Sequence, residues 1–192
     1  MKTSPTTWSG QVFIATSVDG FIARPDGDLA WLTDPPSEPD HVSGHDGHHA
    51  PPGYEDFTAD VTHLVMGRGT YDKVLTFDSW PYDRFRTVVL STSLPPDADE
   101  RILVARSIEE ASALLAAERA GKVYLDGGHV VSQFLARNLI DELTITRAPI
   151  LLGAGLPLFH ALPHPTRLVH LGTSTTDNGM TTTRYRIHHP RP

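Results

Sequence analysis

The sequence predicts a single α/β domain, residues 1–192, whose mixed sheet has a largely parallel centre, an antiparallel C-terminal edge and helices on both faces. Apolar strands alternate with helical segments up to about residue 146, and strands alone complete the chain; this order is typical of a parallel sheet with an antiparallel addition. Two alternating segments, 166–176 and 180–188, flank Asp177-Asn178-Gly179, and Asn-Gly is a strong hairpin signal. We expect this hairpin to form the antiparallel edge.

The composition excludes several classes of protein. With 39% hydrophobic and 20% charged residues, the chain can bury an ordinary core. A formal net charge of −7 disfavours partners such as nucleic acids and anionic membranes. The absence of cysteine excludes disulfides, thiolate nucleophiles and cysteine-based zinc sites. No segment has the pattern of a signal peptide or a membrane span, so we expect a cytoplasmic protein.

The first strand, residues 11–16, is followed by the turn sequence Asp19-Gly20, in which glycine can take a positive φ. A second turn and the apolar patch 29–32 come next. Two interpretations of residues 17–32 stay open: a loop that closes over a ligand, and a surface hairpin anchored by Trp31.

Residues 33–53 are rich in proline and glycine, which predicts a mobile loop. Its four histidines, His41, His45, His48 and His49, raise the hypothesis of a metal site. Because the prolines and glycines oppose a helix and no H-E-x-x-H motif is present, we expect no bound metal here.

A short helix at 54–60 precedes the second strand, 62–66, which stops at Gly67-Arg68-Gly69-Thr70 before a helical segment at 71–75. Arg68 could pair with a phosphate and Thr70 could place its hydroxyl at the helix start. The third strand, 87–92, ends in two hydroxyl residues, Ser91 and Thr92. The fourth strand is 102–105.

Ser107 and Glu110 form the sequence pattern of a capping box, so we expect a helix that begins here and stops at Gly121. The central strand, 123–126, then ends at Gly127-Gly128 and leads into a helical pattern at 130–136. Paired glycines at a helix start allow backbone N–H groups to approach a phosphate. By itself the pair is equally a plain turn.

A further strand at 139–146 and a glycine-punctuated apolar loop at 149–159 lie before the final hairpin. The strand–glycine–helix turns all stand at the carboxyl ends of predicted strands. That edge is where open α/β sheets bind ligands, so the glycine turns predict one shared site.

Five motifs in this order resemble the dihydrofolate reductase superfamily, in particular the reductase domain of bacterial riboflavin-biosynthesis deaminase-reductases (the RibD C-terminal domain) and its stand-alone relatives. The resemblance extends over roughly residues 12–187. The motifs are A-T-S-V-D-G-F-I-A at 15–23, M-G-R-G-T-Y at 66–71, L-D-G-G at 125–128, L-I-D-E-L at 139–143, and P-x-x-x-G-x-G-x-x-L-F at 149–159.

The resemblance implies a dihydrofolate reductase-like fold and a reductase that uses NADPH. It implies that Gly67, Arg68, Gly69 and Thr70 lie under the cofactor phosphates, with Arg68 near the adenosine 2′-phosphate. The other residues implied to bind the cofactor are Ser91 and Thr92 on the adenosine side, Gly127, Gly128, His129, Val130 and Val131 at the pyrophosphate, and Ala15 and Ile22 beside the nicotinamide.

The resemblance defines the substrate less closely than the cofactor. The family activity is that of a 5-amino-6-(5-phosphoribosylamino)uracil reductase in riboflavin biosynthesis, with hydride transfer to a pyrimidine- or pteridine-like heterocycle. The basic residues that the riboflavin enzymes carry in the first strand and before the second are absent here. Two alternatives stay open: a dihydrofolate reductase proper and a nucleotide-binding relative without turnover. The resemblance also favours a homodimer, for which 181–185 could provide a face.

Two carboxylates are candidates for a catalytic role. Asp126 stands where the riboflavin branch commonly has glutamate, and a partly desolvated carboxyl there could protonate or orient a heterocycle nitrogen. Asp19 is the second candidate, in the loop that closes the site by resemblance. Asp34, Glu55 or Asp56 could replace the acid of the folate enzymes, and water could be the proton donor.

Overall fold

The computed structural model describes residues 6–33 and 51–189. Within these ranges the chain forms ten strands and five helices. They are β1 Ser9–Thr16, β2 Phe21–Ala23, α1 Ala30–Thr33, α2 Tyr54–Thr58, β3 Val61–Gly67, α3 Arg68–Val74, β4 Arg86–Leu90, β5 Ile102–Ala105, α4 Ile108–Ala117, β6 Lys122–Asp126, α5 Gly128–Leu135, β7 Glu142–Arg147, β8 Leu156–Pro157, β9 Leu168–Thr175 and β10 Thr181–Ile187.

Eight strands form one sheet in the order β5-β4-β3-β6-β1-β7-β10-β9. Neighbours from β5 to β7 are parallel, whereas β10 runs antiparallel to both β7 and β9. This arrangement confirms the predicted mixed sheet with its antiparallel C-terminal edge. Strand β10 pairs with a strand on each side, so segment 181–185 contributes to a face of the sheet and not to its edge. The edge strand is β9.

The two faces of the sheet are covered by different helices. Alternate residues of β6 point to opposite sides: Val123 and Leu125 pack into the cluster formed by α4 and α5, and Tyr124 packs with Phe57 of α2 and Tyr71 of α3. This is the two-residue period of a strand with both faces buried. The centre of the sheet is therefore buried on both faces, and its carboxyl edge carries the connecting turns.

A second, two-stranded sheet was not predicted. Strand β2 pairs antiparallel with β8 through Phe21 with Pro157 and Ala23 with Leu156. The sequence leaves 17–32 open between a closing loop and a surface hairpin, and it predicts a separate loop at 149–159. Only long-range pairing reveals that each segment contributes a strand to one sheet. Residues 30–33 form the short helix α1, and Trp31 is buried.

Helix α4 ends earlier than predicted. Ser107 caps it as expected, accepting from the N–H of Glu110, while the Glu110 carboxylate accepts from the N–H of Arg106. The helix stops at Ala117 because Arg119 takes a left-handed φ of 54°, so Gly121 is not the stop.

Strand β7 begins at Glu142 instead of residue 139. Asn138, with φ of 57°, closes α5, and the N–H of Leu139 donates to the carbonyl of Phe134. This is the αL closure of a helix C-terminus, and it uses the residues before the strand. Among the described residues no helix has the length and apolar character to cross a bilayer.

Candidate active site

A cleft of about 480 Å³ lies at the carboxyl edge of the parallel strands. It is bordered by the turns after β3, β4, β5 and β6 and by strand β8. Its lining residues are Ile22, Gly67, Arg68, Gly69, Thr70, Leu90, Ser91, Thr92, Ser93, Arg106, Ser107, Gly127, Gly128, His129, Val130, Gln133, Leu156, Pro157 and His160. Most of the residues that the sequence predicts for cofactor binding therefore meet in one cavity.

The turn from β3 into α3 supplies one wall of the cleft. Gly67 is the N-cap, so α3 begins at Arg68, three residues earlier than predicted. The exposed Arg68 donates from Nε to the Asp72 carboxylate at 2.6 Å. Thr70 lies against Gly127, because a Cβ at Gly127 would stand 2.5 Å from the Thr70 hydroxyl oxygen.

The ends of β4 and β5 supply the opposite wall. Ser91 and Thr92 follow β4 instead of ending it, and the Ser91 hydroxyl accepts from the N–H groups of Ser93 and Leu94. Arg106 donates from its guanidinium to the Ser91 carbonyl at 2.7 Å. Sequence reasoning missed Arg106, although its position one residue beyond β5, at the carboxyl edge, is a usable signal.

The turn from β6 into α5 forms the floor. Gly127 has φ of 90°, a left-handed value that favours glycine. The N–H of Val131 donates to the carbonyl of Gly127 at 2.9 Å, and Val131 is completely buried. The N–H of Val131 is thus engaged within the helix, and Val131 is not among the residues that line the cleft. The N–H groups of Gly128, His129 and Val130 precede this first helical bond and have no partner within the helix.

The segment around β8 lies directly across the start of α5. A Cβ at Gly128 would stand 2.2 Å from the Pro157 carbonyl oxygen, so only glycine allows this approach. Gly155 permits an equally close contact with the carbonyl of Ala23. This packing stacks the ring of His160 on the ring of His129, with ring centroids 4.0 Å apart and planes at 12°. The sequence gives no signal for this stack, which depends on the tertiary packing.

The charge of the lining is one-sided. Among the described residues, Arg68, Arg106, His129 and His160 line the cleft and no acidic residue does. The whole chain has a formal net charge of −7. Basic groups concentrated in one cleft of an acidic protein indicate an anionic ligand.

Asp126 lies beside this cleft without lining it. It follows the alternation of β6 onto the face of Tyr124, and one carboxylate oxygen accepts from the N–H of Gly127 at 2.9 Å. Burial raises the pKa of the Asp126 carboxyl to about 6. Burial, together with the charge of Asp126, also raises the phenol pKa of Tyr54, Tyr82 and Tyr124. These three tyrosines therefore feel the charge of Asp126.

Asp19 is placed as a clamp between two loops. Its carboxylate accepts from the Ser17 hydroxyl at 2.6 Å and from the N–H groups of Leu152 and Gly153 at 3.2 and 2.7 Å. The Ser17 hydrogen bond holds the pKa of Asp19 below its usual value. Asp19 and Ala15 are not among the residues that line the cleft.

The remaining candidates are peripheral. Glu55 and Asp56 are exposed in the first turn of α2, whereas Asp34 and the histidines at 41, 45, 48 and 49 lie outside the described residues. Within the described ranges, no three histidine, aspartate or glutamate side chains are grouped to hold a metal ion.

Comparison with known proteins adds the family. Residues 9–182 match the RibD C-terminal domain family. The chain is 34% identical over 166 residues to the uncharacterized protein YwjB of Bacillus subtilis (strain 168), covering 84% of this chain and 88% of the relative. It is 35% identical to a candidate riboflavin biosynthesis protein from Shewanella sp. PV-4, with a TM-score of 0.78, over 94% of this chain and 99% of the other.

More distant solved structures share the fold. Dihydrofolate reductase from Enterococcus faecalis, complexed with NADP(H), is 21% identical with a TM-score of 0.61, covering 96% of this chain and 98% of the enzyme. RibD from Acinetobacter baumannii is 18% identical with a TM-score of 0.62, and the match covers 94% of this chain and 58% of that protein. The fold is thus dihydrofolate reductase-like, and the chain belongs to the RibD C-terminal domain family of reductases.

Proposed function

We propose that the protein is an NADPH-dependent oxidoreductase that reduces a C=N or C=O bond of a pyrimidine- or pteridine-like heterocycle. The observation that carries this proposal is the cleft itself, in which four basic side chains and, in the part of the chain that the structure describes, no acidic one surround a glycine-lined helix start. Such a surface suits a ligand with several phosphates. The NADP(H) complex of the Enterococcus faecalis enzyme, which has the same fold, supports the choice of dinucleotide.

We assign the residues of the cleft to separate parts of the cofactor. The N–H groups of Gly128, His129 and Val130 have no partner within α5, and we assign them to the diphosphate. Ser91 and Thr92 border the adenosine side, where the guanidinium groups of Arg68 and Arg106 stand at either wall. NADPH supplies the hydride, and the chain's own groups bind and orient it.

Ile22, which lines the cleft on the side of β8, and Ala15 near the end of β1 are our candidates for contacting the nicotinamide. Both are small or apolar, as a site that excludes water requires. The clamp formed by Asp19 fixes the loop carrying Ile22 against residues 152–153. We therefore assign Asp19 a positioning role: its lowered pKa keeps it ionised, which makes it a poor proton donor.

Asp126 is our candidate for the catalytic acid. It lies at the border of the cofactor cleft, and its raised pKa leaves part of the carboxyl protonated near neutral pH. The ring of Tyr54 contacts those of Phe13 and Tyr124. A planar heterocycle would find an aromatic surface and a hydrogen-bonding carboxyl together at this place.

The most specific substrate we propose is 5-amino-6-(5-phosphoribosylamino)uracil or a close relative. The test is NADPH oxidation, followed at 340 nm, with the deaminated pyrimidine of that pathway and with dihydrofolate in parallel assays. Turnover of the pyrimidine supports the riboflavin-type activity, and turnover of dihydrofolate alone would make the protein a dihydrofolate reductase. Tight binding of NADPH with no oxidation across both substrates would contradict the enzymatic proposal and favour a nucleotide-binding relative.

Arg68→Ala is expected to weaken NADPH binding about tenfold while changing NADH binding less than about threefold, since only NADPH offers the adenosine 2′-phosphate to a guanidinium. Fluorescence titration with both dinucleotides measures the ratio. Arg137→Ala is the matched control, because Arg137 makes an exposed ion pair with Glu109 outside the cleft. Equal weakening of NADPH and NADH would remove the 2′-phosphate assignment from Arg68.

We also propose that the protein is a homodimer. The edge strand β9 exposes Leu168 and Val169, with 43% and 44% of their surfaces accessible, and it has a free pairing edge of the kind that a second chain can cover. Sedimentation velocity measures the mass directly. A monomer at micromolar concentration would contradict this proposal.

A further inference from the structure

His129 and His160 form a stacked imidazole pair at the diphosphate end of the cleft. Their ring centroids are 4.0 Å apart and their planes are nearly parallel, at 12°. Both side chains line the cavity. His129 is the second residue of α5, and His160 follows β8, so the pair joins two separate elements.

The backbone holds this pair in place. The N–H of His160 donates to the Ser132 hydroxyl of α5 at 2.8 Å, and Ser132 is buried. Gly128, directly before His129, accepts the close approach of the carbonyls of Pro157 and Leu158. The chain on either side of each histidine is thereby packed against the other element, which fixes the distance between the rings.

The charged groups on the surrounding elements include two arginines and two carboxylates. Arg68 of α3 and Arg106 before α4 line the same cleft. The carboxylates near these arginines already accept hydrogen bonds. Asp72 accepts from the guanidinium of Arg68, and Glu110 accepts from the backbone N–H of Arg106. The carboxyl of Asp126 follows β6 onto the opposite face of the sheet, beside Tyr124.

Two imidazoles at this separation oppose each other's protonation, because like charges at short range disfavour the second charge. Burial and the neighbouring His129 lower the pKa of His160. The free protein therefore favours the neutral form of the His160 ring. An anion beside the rings has the opposite effect, because it favours the protonated, charged form of an imidazole.

We propose that His129 and His160 are a protonatable binding site for the diphosphate of a dinucleotide, and that binding transfers a proton from solvent to the imidazole pair. This inference rests on the proposed dinucleotide function and adds its pH dependence. The ligand's diphosphate binds to a neutral or singly charged pair, one ring nitrogen accepts a proton from the buffer, and the resulting imidazolium faces the anion. Affinity then increases as the pH falls.

Isothermal titration calorimetry tests this in two buffers of different ionisation enthalpy, with NADPH and with NADH, at pH 6.5, 7.25 and 8. The difference in observed enthalpy gives the number of protons taken up. We expect an uptake that approaches one proton and a dissociation constant that falls about tenfold between pH 8 and 6.5 (linkage of one proton). NADH is essential, because the 2′-phosphate monoester of NADPH titrates near pH 6 by itself.

His160→Gln and His129→Gln should each reduce the proton uptake with NADH by at least half and flatten the pH dependence. The matched control is His170→Gln, which removes an exposed histidine of β9, outside the cleft, and should retain the wild-type uptake. If NADPH binds but the binding of NADH to the wild type takes up no proton, the histidine proposal is contradicted and the proposed dinucleotide function is not. If neither dinucleotide binds at any pH, the proposed function fails with it.

Discussion

Replacement of Asp126 by asparagine is expected to lower kcat for NADPH oxidation by about ten- to a thousandfold and to leave NADPH affinity nearly unchanged. Asparagine preserves the shape of the side chain but cannot deliver a proton, and Asp126 does not line the cofactor cleft. Steady-state kinetics with the reducible heterocycle and a separate NADPH titration measure the two effects. Unchanged kcat would transfer proton donation to water.

The same acid predicts the pH profile of the wild type. Because burial raises the pKa of Asp126 to about 6, the protonated fraction falls about tenfold for each pH unit above that value. We expect kcat to decline above pH 6 in the wild type and to be flat over the same range in Asp126→Asn. Buffers of constant ionic strength are needed, since the cleft is strongly charged.

Asp126→Asn should also stabilise the protein at neutral and alkaline pH. Below the usual aspartate pKa of 3.8 the carboxyl is protonated in both the folded and the unfolded chain, so it makes no difference to stability there. Between pH 3.8 and about 6 the unfolded chain loses the proton first, and above 6 the folded protein holds an ionised, buried carboxylate at a cost of up to about 3 kcal/mol.

Urea unfolding at pH 4 and pH 8 measures this contribution of Asp126 to the free energy of unfolding. The variant should exceed the wild type in free energy of unfolding at pH 8 and approach it at pH 4. A variant that is less stable than the wild type at pH 8 would show that the carboxylate is favourably bound instead. Lower kcat together with higher stability is the signature of a carboxyl kept for chemistry.

Gly128→Ala is expected to destabilise the protein by about 2–4 kcal/mol and to abolish measurable NADPH binding. The new Cβ would stand 2.2 Å from the carbonyl oxygen of Pro157 and 3.1 Å from that of Leu158, so backbone would have to move. The displaced segment carries one wall of the cleft and positions His160.

Gly121→Ala is the control for this substitution. A Cβ at Gly121 meets no atom within 4 Å, and its φ is not left-handed. We expect a change below about 1 kcal/mol, of either sign, from backbone entropy. Equal unfolding midpoints for the two variants would contradict the close packing of Pro157 on α5.

Local sequence signals predicted most of the sheet and much of the site. The turns at Gly67 and Gly127 were predictable because each follows an apolar strand and precedes a helical pattern, and parallel strands bring their carboxyl ends together. Together with the family resemblance, these signals group Arg68, Ser91 and His129, and the three residues line one cavity.

The parts that failed depend on long-range contacts or on single backbone angles. The β2–β8 pair joins residues more than 130 positions apart, and no local pattern marks it. Arg119 and Asn138 adopt left-handed angles that end their helices, although neither is glycine. The sequence also does not show that the N–H of Val131 forms the first helical hydrogen bond of α5.

The measurement that tests the central claim most directly is a crystal structure of the protein grown with NADPH. Our proposal predicts the diphosphate within hydrogen-bond distance of the N–H groups of Gly128, His129 and Val130, with the 2′-phosphate beside Arg68 and the nicotinamide next to Ile22. A dinucleotide bound away from the cleft, or a cleft that stays free of it at saturating concentration, would contradict the account.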